Sequence, residues 1–405
     1  VQPTEGVSHP ESRTSRLLDG IPGSATVGLS DRIAALRSAG RRVVDLASGD
    51  PDADTPAPVV DAAVASLRAG RTHYGPSRGT AELRRAVAQA LPVGVTRDPD
   101  SEVLVTGSAK FALSLALQAL LNPGDEVLVL TPAWVSYLPL VRLHGGVPVP
   151  VHLDSRDGFR VTAEALTGAC TPRTRVLLVN SPTNPTGRVL DAAEVDAVVR
   201  VAEEHDLVIV SDEIYRHLVF RGEHRSPAVA APHRTVVVDG VSKAYAMTGW
   251  RLGWLSGPAD VVSTALVAHQ HMLSCVPLFV QDAAVVALTA GDSYTREMVE
   301  TYRLRRDLLI DILDGADGLR FTPPEGALYG YLDVGGTGLE AGPFAARLLE
   351  STGVAVLPGG PFGAPQDDHV RVSLAVPTAD LTTGLQALRT FVTTLPAPTP
   401  SGARR

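Results

Sequence analysis

The chain is poor in cysteine: Cys170 and Cys275 are the only two in 405 residues. They stand far apart and outside any metal-ligand spacing. Neither a disulfide framework nor a zinc site is expected, and a reducing compartment fits. No run approaches the roughly 18 apolar residues of a membrane span. No basic stripe stands out, and the formal charge is −8. Nucleic acid and anionic membranes are therefore poor partners. Val1–Ser15 is polar, carries Pro3, Glu5, Pro10 and Glu11, and lacks the apolar segment of a signal peptide. Residues 1–15 and 396–405 read as tails, and a cytoplasmic location is the simplest expectation. No internal repeat is found.

What the chain does contain is ordinary globular composition, 44% hydrophobic and 20% charged, over a length that allows more than one domain. Its middle alternates short apolar runs with amphipathic stretches. The runs are Glu102–Thr106, Glu126–Leu130, Val147–Val151, Arg175–Val179, Leu207–Ser211, Thr235–Asp239 and Leu252–Ser256. They are rich in Val and Leu without polar alternation, as strands buried on both faces are. Ala109–Leu121, Ala133–His144 and Asp191–His205 between them read as helices. The order predicts a large, mostly parallel α/β sheet covered by helices, with ligands at the carboxyl ends of the strands. From Ala259 to Leu313 the pattern is helical, and the charged run Arg303–Asp307 reads as a solvated face. After Gly318 come short strands, turns and a last helix near Asp380–Thr394. The predicted division is a large domain over 51–285 and a smaller, discontinuous α/β domain from 16–50 and 286–395.

Three strand ends carry chemistry. After Arg175–Val179 comes Asn180-Ser-Pro-Thr-Asn-Pro-Thr-Gly187, a turn stiffened by prolines that offers the Asn184 amide. The next strand ends in Ser211-Asp-Glu-Ile-Tyr215, which delivers a carboxylate, Asp212, and a phenol, Tyr215. The third runs into Gly240-Val-Ser-Lys-Ala-Tyr-Ala-Met-Thr-Gly-Trp-Arg251. Lys243 there stands among small and apolar neighbours, which suits a desolvated amine that attacks carbonyl groups. Arg251 suits a phosphate. Each feature is common alone. Together, in this order, they point to one ligand crevice.

From about Gly23 to Thr394 the sequence resembles the class I/II aminotransferases, fold-type I enzymes that use pyridoxal 5'-phosphate (PLP). It is most similar to the bacterial aspartate and prephenate aminotransferase subgroup. The matching stretches are Ser48–Pro56, Tyr74–Gly79, Asn122–Glu126, Pro132–Tyr137, the asparagine loop, Ser211–Tyr215, Lys243–Arg251 and His369–Ser373. The resemblance implies a seven-stranded sheet, bound PLP, a homodimer with shared active sites, and transfer of an amino group between an amino acid and a 2-oxo acid. It implies that Lys243 holds the cofactor and shuttles the proton, that Asp212 pairs with the pyridine nitrogen, and that Asn184 and Tyr215 bond the phenolic oxygen. Trp134 would stack on the ring. Ser108, Ala109, Arg251 and Ser242 would surround the phosphate, with Tyr74 reaching in from a second subunit. Arg371 would clamp the substrate carboxylate, assisted by Gly49 and Asn184. No metal is implied.

Three positions depart from the commonest pattern. Gly240 stands where many relatives have a phosphate-binding serine. Lys110 occupies the place where some members of the subgroup hold the distal carboxylate of an acidic substrate, such as 2-oxoglutarate. In Gln270–Pro277, a loop the resemblance places against the neighbouring subunit's substrate pocket, His271 and its neighbours replace small hydroxyl residues, which implies simple repacking, a changed substrate or a changed reaction. The cofactor's carbanion chemistry also admits an alternative, a PLP-dependent lyase or carbon–carbon bond-forming enzyme. An effector-sensing part of a transcription regulator is disfavoured, because no helix-turn-helix or basic stretch is present.

Overall fold

A computed structural model describes residues 18–290, 292–363 and 368–395. The tails expected at 1–15 and 396–405 lie outside the described residues. The described strands, in chain order, are β1 (Val44–Asp45), β2 (Val103–Thr106), β3 (Glu126–Thr131), β4 (Val147–His152), β5 (Thr174–Asn180) and β6 (Val208–Asp212). They continue with β7 (Thr235–Gly240), β8 (Gly253–Ser256), β9 (Tyr329–Asp333), β10 (Val354–Ala355), β11 (Leu357–Pro358) and β12 (His369–Ser373).

The large sheet has seven strands in the order β2-β8-β7-β6-β5-β3-β4. Only β8 runs antiparallel to its neighbours. The expected runs all form strands of this sheet, within a residue or two at the ends. Those in the middle are almost wholly buried, β7 throughout and β6 in all but its first residue, as continuous Val/Leu runs require. Val147–His152 is the exception. It is the sheet's edge strand and is partly exposed, so its alternating prolines cost no central ladder bond.

Helices cover both faces. Ala109–Leu120, Tyr137–Leu143 and Ala259–Met272 bury one apolar layer; Ala163–Ala169 and Ala192–Glu204 bury another. The last of these helices starts with a reciprocal capping box between Asp191 and Glu194, worth about 1 kcal/mol for the capping side chain. The helical region 259–313 is three helices, Ala259–Met272, Leu278–Ala290 and Asp292–Leu313.

A second layered unit packs around β9, β11 and β12, an antiparallel sheet in the order β11-β12-β9. Helices Asp292–Leu313, Ala341–Thr352 and Thr378–Thr394 share its core with Phe344, Leu348, Leu385 and Phe391. β1 pairs in parallel with β10 of this C-terminal region, so residues near 44 join it across the sequence.

The charged run Arg303–Asp307 does not lie wholly on a solvated face. Arg303 does, pairing with Glu300 and Asp307 on the helix surface. Arg305 is instead buried at 6% exposure and forms an ion pair with Asp52. Helical spacing places Arg305 on the opposite side from Arg303, toward the core.

Candidate active site

Parallel register brings the chemistry to one edge. Asn180 at the end of β5 lies beside Asp212 at the end of β6, and Asp212 beside Val238 of β7. The chain then leaves β7 at Gly240 and reaches Lys243 within one turn. A cavity of about 350 Å³ opens there, a size that suits a small ligand. Of the fourteen expected site residues, twelve line it, among them Lys243, Asp212, Tyr215, Asn184, Trp134, Ser108, Ala109, Arg251, Ser242, Arg371 and Gly49. Lys110 also lines it. Tyr74 and His271 do not. Tyr74 is 90% exposed, and His271 lies exposed in the last turn of the helix Ala259–Met272.

Lys243 is half-buried, and its Nζ donates to the Gly49 carbonyl oxygen at 2.7 Å. Asp212 is buried, and its two oxygens accept from Tyr137 Oη at 2.7 Å and from the Ile214 amide at 3.2 Å. Both partners are neutral. Burial pushes the Asp212 carboxyl up to about 6, although these two bonds pull it down. Such a carboxylate would be stabilised by a cation placed in the cavity. Tyr215 Oη lies 3.0 Å from Tyr329 Oη, and burial and this neighbour push the Tyr215 phenol well above its ordinary range.

Arg371, in the middle of β12, is 1% exposed. Its Nη1 donates to Asn184 Oδ1 at 2.9 Å and its Nη2 to the Ala47 carbonyl at 2.6 Å. The Tyr329 and Phe362 rings flank the guanidinium, 4.2 and 5.2 Å from ring centre to Cζ. Nε is buried without a partner. A rigid, always charged fork in this setting suits a carboxylate.

The N-terminus of the helix Ala109–Leu120 lines the same cavity through Ser108, Ala109 and Lys110. Ser108 caps it, its Oγ accepting the Phe111 amide at 3.1 Å. The helix start sits hard on β8: a Cβ on Gly253 would lie 2.2 Å from the Ala109 nitrogen. Gly253 pairs with Gly240 across the ladder, and a Cβ on Gly240 would lie 2.9 Å from the Leu252 carbonyl oxygen. The missing serine thus has a steric reason in this chain. Arg251 stands in the left-handed region (φ 57°) and donates from Nη1 to the Thr248 carbonyl at 2.7 Å. A helix N-terminus with an arginine beside it suits a phosphate.

Lys110 holds its Nζ 5.0 Å from the centre of the Trp134 ring. Burial, then the charges of Arg251 and Lys243, lower its pKa. Trp134 meets Tyr137 edge-on at 5.4 Å. The sequence reading gave no role to Tyr137, Asn180, Asp50, Thr26, Thr248 or Tyr329, all of which line the cavity. Asn180 donates from Nδ2 to the Asp212 carbonyl and accepts the Asn184 amide, so it fixes the asparagine loop on β6. Away from the cavity, Asp333, Asp368 and His369 bring ligand-type atoms within 4.8 Å of one another, and His369 already bonds Asp368 at 2.6 Å.

A buried carboxylate, a lysine and an arginine fork around one cavity at the strand ends define a carbonyl- and carboxylate-handling enzyme of fold-type I. The chain belongs to the aminotransferase class I and II family, whose pattern it matches over residues 41–388. It is 42% identical to the aspartate/prephenate aminotransferase of Thermus thermophilus over 377 residues, 92% of this chain and 97% of that protein. It is also 42% identical to the arginine–pyruvate transaminase of Pseudomonas aeruginosa over 362 residues, 87% of this chain and 91% of the other. Among solved structures, the Thermus thermophilus aspartate aminotransferase with maleate superposes with a TM-score of 0.89 at 41% identity, covering 93% of this chain and 99% of that one. The chain is an aminotransferase, an enzyme that moves an amino group between an amino acid and a 2-oxo acid. Nothing in these comparisons favours the lyase or carbon–carbon bond-forming alternative. No described helix is long and apolar enough to cross a membrane.

Proposed function

We propose that this aminotransferase holds PLP on Lys243 and accepts an acidic partner such as 2-oxoglutarate. The observation that carries the reading is the convergence of Lys243, Asp212 and Arg371 on one cavity. The fit rests on groups that lack a counter-charge. Asp212 has only neutral partners, Arg371 Nε is buried and unbonded, and a capped helix N-terminus faces the same space.

When bound, the cofactor supplies a carbonyl carbon that takes up the amino group and a ring that draws electrons from the substrate Cα. Lys243 would attach it and, once released, carry the proton from Cα. Asp212 would hold the proton on the ring nitrogen, an anion favouring the adjacent cation. Tyr215 and Asn184 would bond the phenolic oxygen, and Trp134 would lie on the ring face. The amides at Ser108 and Ala109, with Ser242 and Arg251, would bind the phosphate. Arg371 would orient the substrate α-carboxylate, with the Gly49 backbone and Asn184 beside it. Lys110, at the cavity wall, would pair with a distal carboxylate.

Tyr74 and His271 would act from a second subunit in a homodimer; their exposure on this chain supports that reading. The division into a large domain over 51–285 and a small one from 16–50 and 286–395 is part of the same proposal, supported by the β1–β10 pairing. Two free cysteines fit the reducing cytoplasm. The test is a screen of amino donors against 2-oxoglutarate, reading glutamate formation. Turnover with at least one donor is expected. No glutamate from any donor would count against the acidic partner.

A further inference from the structure

We infer that the ion pair between Asp52 and Arg305 is a positioning device for the carboxylate site, acting through a strap of backbone at residues 45–52. The inference rests on the reading of Arg371 as the carboxylate ligand.

The strap touches the working groups at nearly every step. Asp45 Oδ1 accepts the Ala47 and Ser48 amides at 2.9 and 3.1 Å, which turns the chain. The Ala47 carbonyl then takes Arg371 Nη2, and the Gly49 carbonyl takes Lys243 Nζ. Asp50 Oδ1 accepts Thr248 Oγ1 at 2.6 Å, beside the carbonyl that holds Arg251. Gly49 packs so close to Tyr329 that a Cβ would lie 2.1 Å from its hydroxyl. The strap thus seats the arginine fork through the Ala47 carbonyl, while the Gly49 carbonyl would lose its hold on the Lys243 amine once that amine attaches the cofactor.

Arg305 fixes where the strap sits. Its Nη1 and Nη2 grip Asp52 Oδ1 and Oδ2 at 2.6 and 2.8 Å. The same guanidinium donates to the Leu374 carbonyl at 3.1 Å and to Thr378 Oγ1 at 3.3 Å. Asp52 lies three residues beyond Gly49, and Leu374 lies three residues beyond Arg371. One fork therefore ties the end of the strap to the end of the strand that carries Arg371. The two side chains are only 7% and 22% exposed, so water competes little for the pair. A lysine could not bridge both oxygens and the carbonyl with fixed geometry.

The experiment uses the PLP-loaded enzyme with Arg305→Ala and, separately, Asp52→Asn. The dissociation constant of succinate, an unreactive dicarboxylate, is measured by calorimetry, and KM and kcat with 2-oxoglutarate by turnover. Displacement of the strap by about 1 Å is expected to weaken succinate and raise KM by roughly ten- to a hundredfold. The fall in kcat at saturation should stay within about threefold. A cleft of about 290 Å³ beside the pair is lined by Asp52, Tyr302 and Arg305. Added ethylguanidinium should enter it and restore part of the succinate affinity of Arg305→Ala. Unchanged succinate affinity and KM in a folded variant would overturn the inference, as would a fall in kcat with KM unmoved. If Arg305→Ala fails to fold, the near-isosteric Asp52→Asn decides alone. An Arg371→Ala variant that leaves the KM for every 2-oxo acid unchanged would instead refute the carboxylate role of Arg371, and the inference with it.

Discussion

Tyr137 Oη donates a 2.7 Å hydrogen bond to Asp212 Oδ2, and both side chains are buried. The bond favours the charged carboxylate, yet burial outweighs it and leaves the acid titrating near 6. In the cofactor-free protein the sign is clear. The folded state binds the Asp212 proton between its unfolded value of 3.8 and about 6. Stability from this group is present below that window and lost as pH rises through it. The loss amounts to about 3 kcal/mol as an upper bound. Asp212→Asn should raise the apo-protein melting temperature at neutral pH and change little below pH 4. Tyr137→Phe should move the other way at neutral pH. Melting curves of the three apo-proteins across pH check this, and no gain for Asp212→Asn at pH 7 would count against the buried, unpaired acid.

Lys110 stands over Trp134 with a lowered pKa. Lys110→Gln should raise KM for dicarboxylic 2-oxo acids by about ten- to a hundredfold, the cost of one charge-assisted contact, and leave neutral 2-oxo acids nearly unchanged. Because the pKa is depressed, dicarboxylate binding to the parent should fade at a lower pH than an ordinary lysine would allow. Equal losses for both substrate classes would remove Lys110 from the distal site.

Gly240 pairs with Gly253, which in turn carries the start of the helix Ala109–Leu120. The resemblance places serine at this position, but Gly240→Ser would not restore a phosphate ligand. Its Cβ would meet the Leu252 carbonyl oxygen at 2.9 Å and the Gly253 Cα at 3.0 Å. The variant should lose about 1–3 kcal/mol of stability from overpacking and gain no affinity for PLP. Urea unfolding and cofactor titration read both quantities.

Much of the site was legible because a parallel sheet turns sequence order into place. Each run that forms a parallel strand ends at the same edge, so the residues after β5, β6 and β7 had to meet. Asn184, Asp212 and Lys243 could be read this way. Tyr329 could not. It enters from an antiparallel strand of the second layered unit, and no local pattern says which face of the large sheet that strand will approach. Tyr137 and Asn180 stood inside recognised stretches, but their role lies in hydrogen bonds to Asp212 and its loop, which spacing does not encode. Arg305 stands beside charged Arg303 and Asp307, a local pattern that predicts a solvated face. Its partner, Asp52, is 253 residues away, and only the fold brings them together. His271 and Tyr74 lie outside the cavity of this chain, and only the proposed homodimer would give them a place in a site.

The most direct test of the account concerns Lys243. Purified protein is loaded with PLP, reduced with borohydride, digested and mapped by mass spectrometry, beside Lys243→Ala treated in the same way. A pyridoxyl group on the peptide containing Lys243, with neither label nor visible cofactor absorbance in Lys243→Ala, is the predicted result. A label on another lysine, or a variant that keeps its visible absorbance and its turnover, would contradict the account.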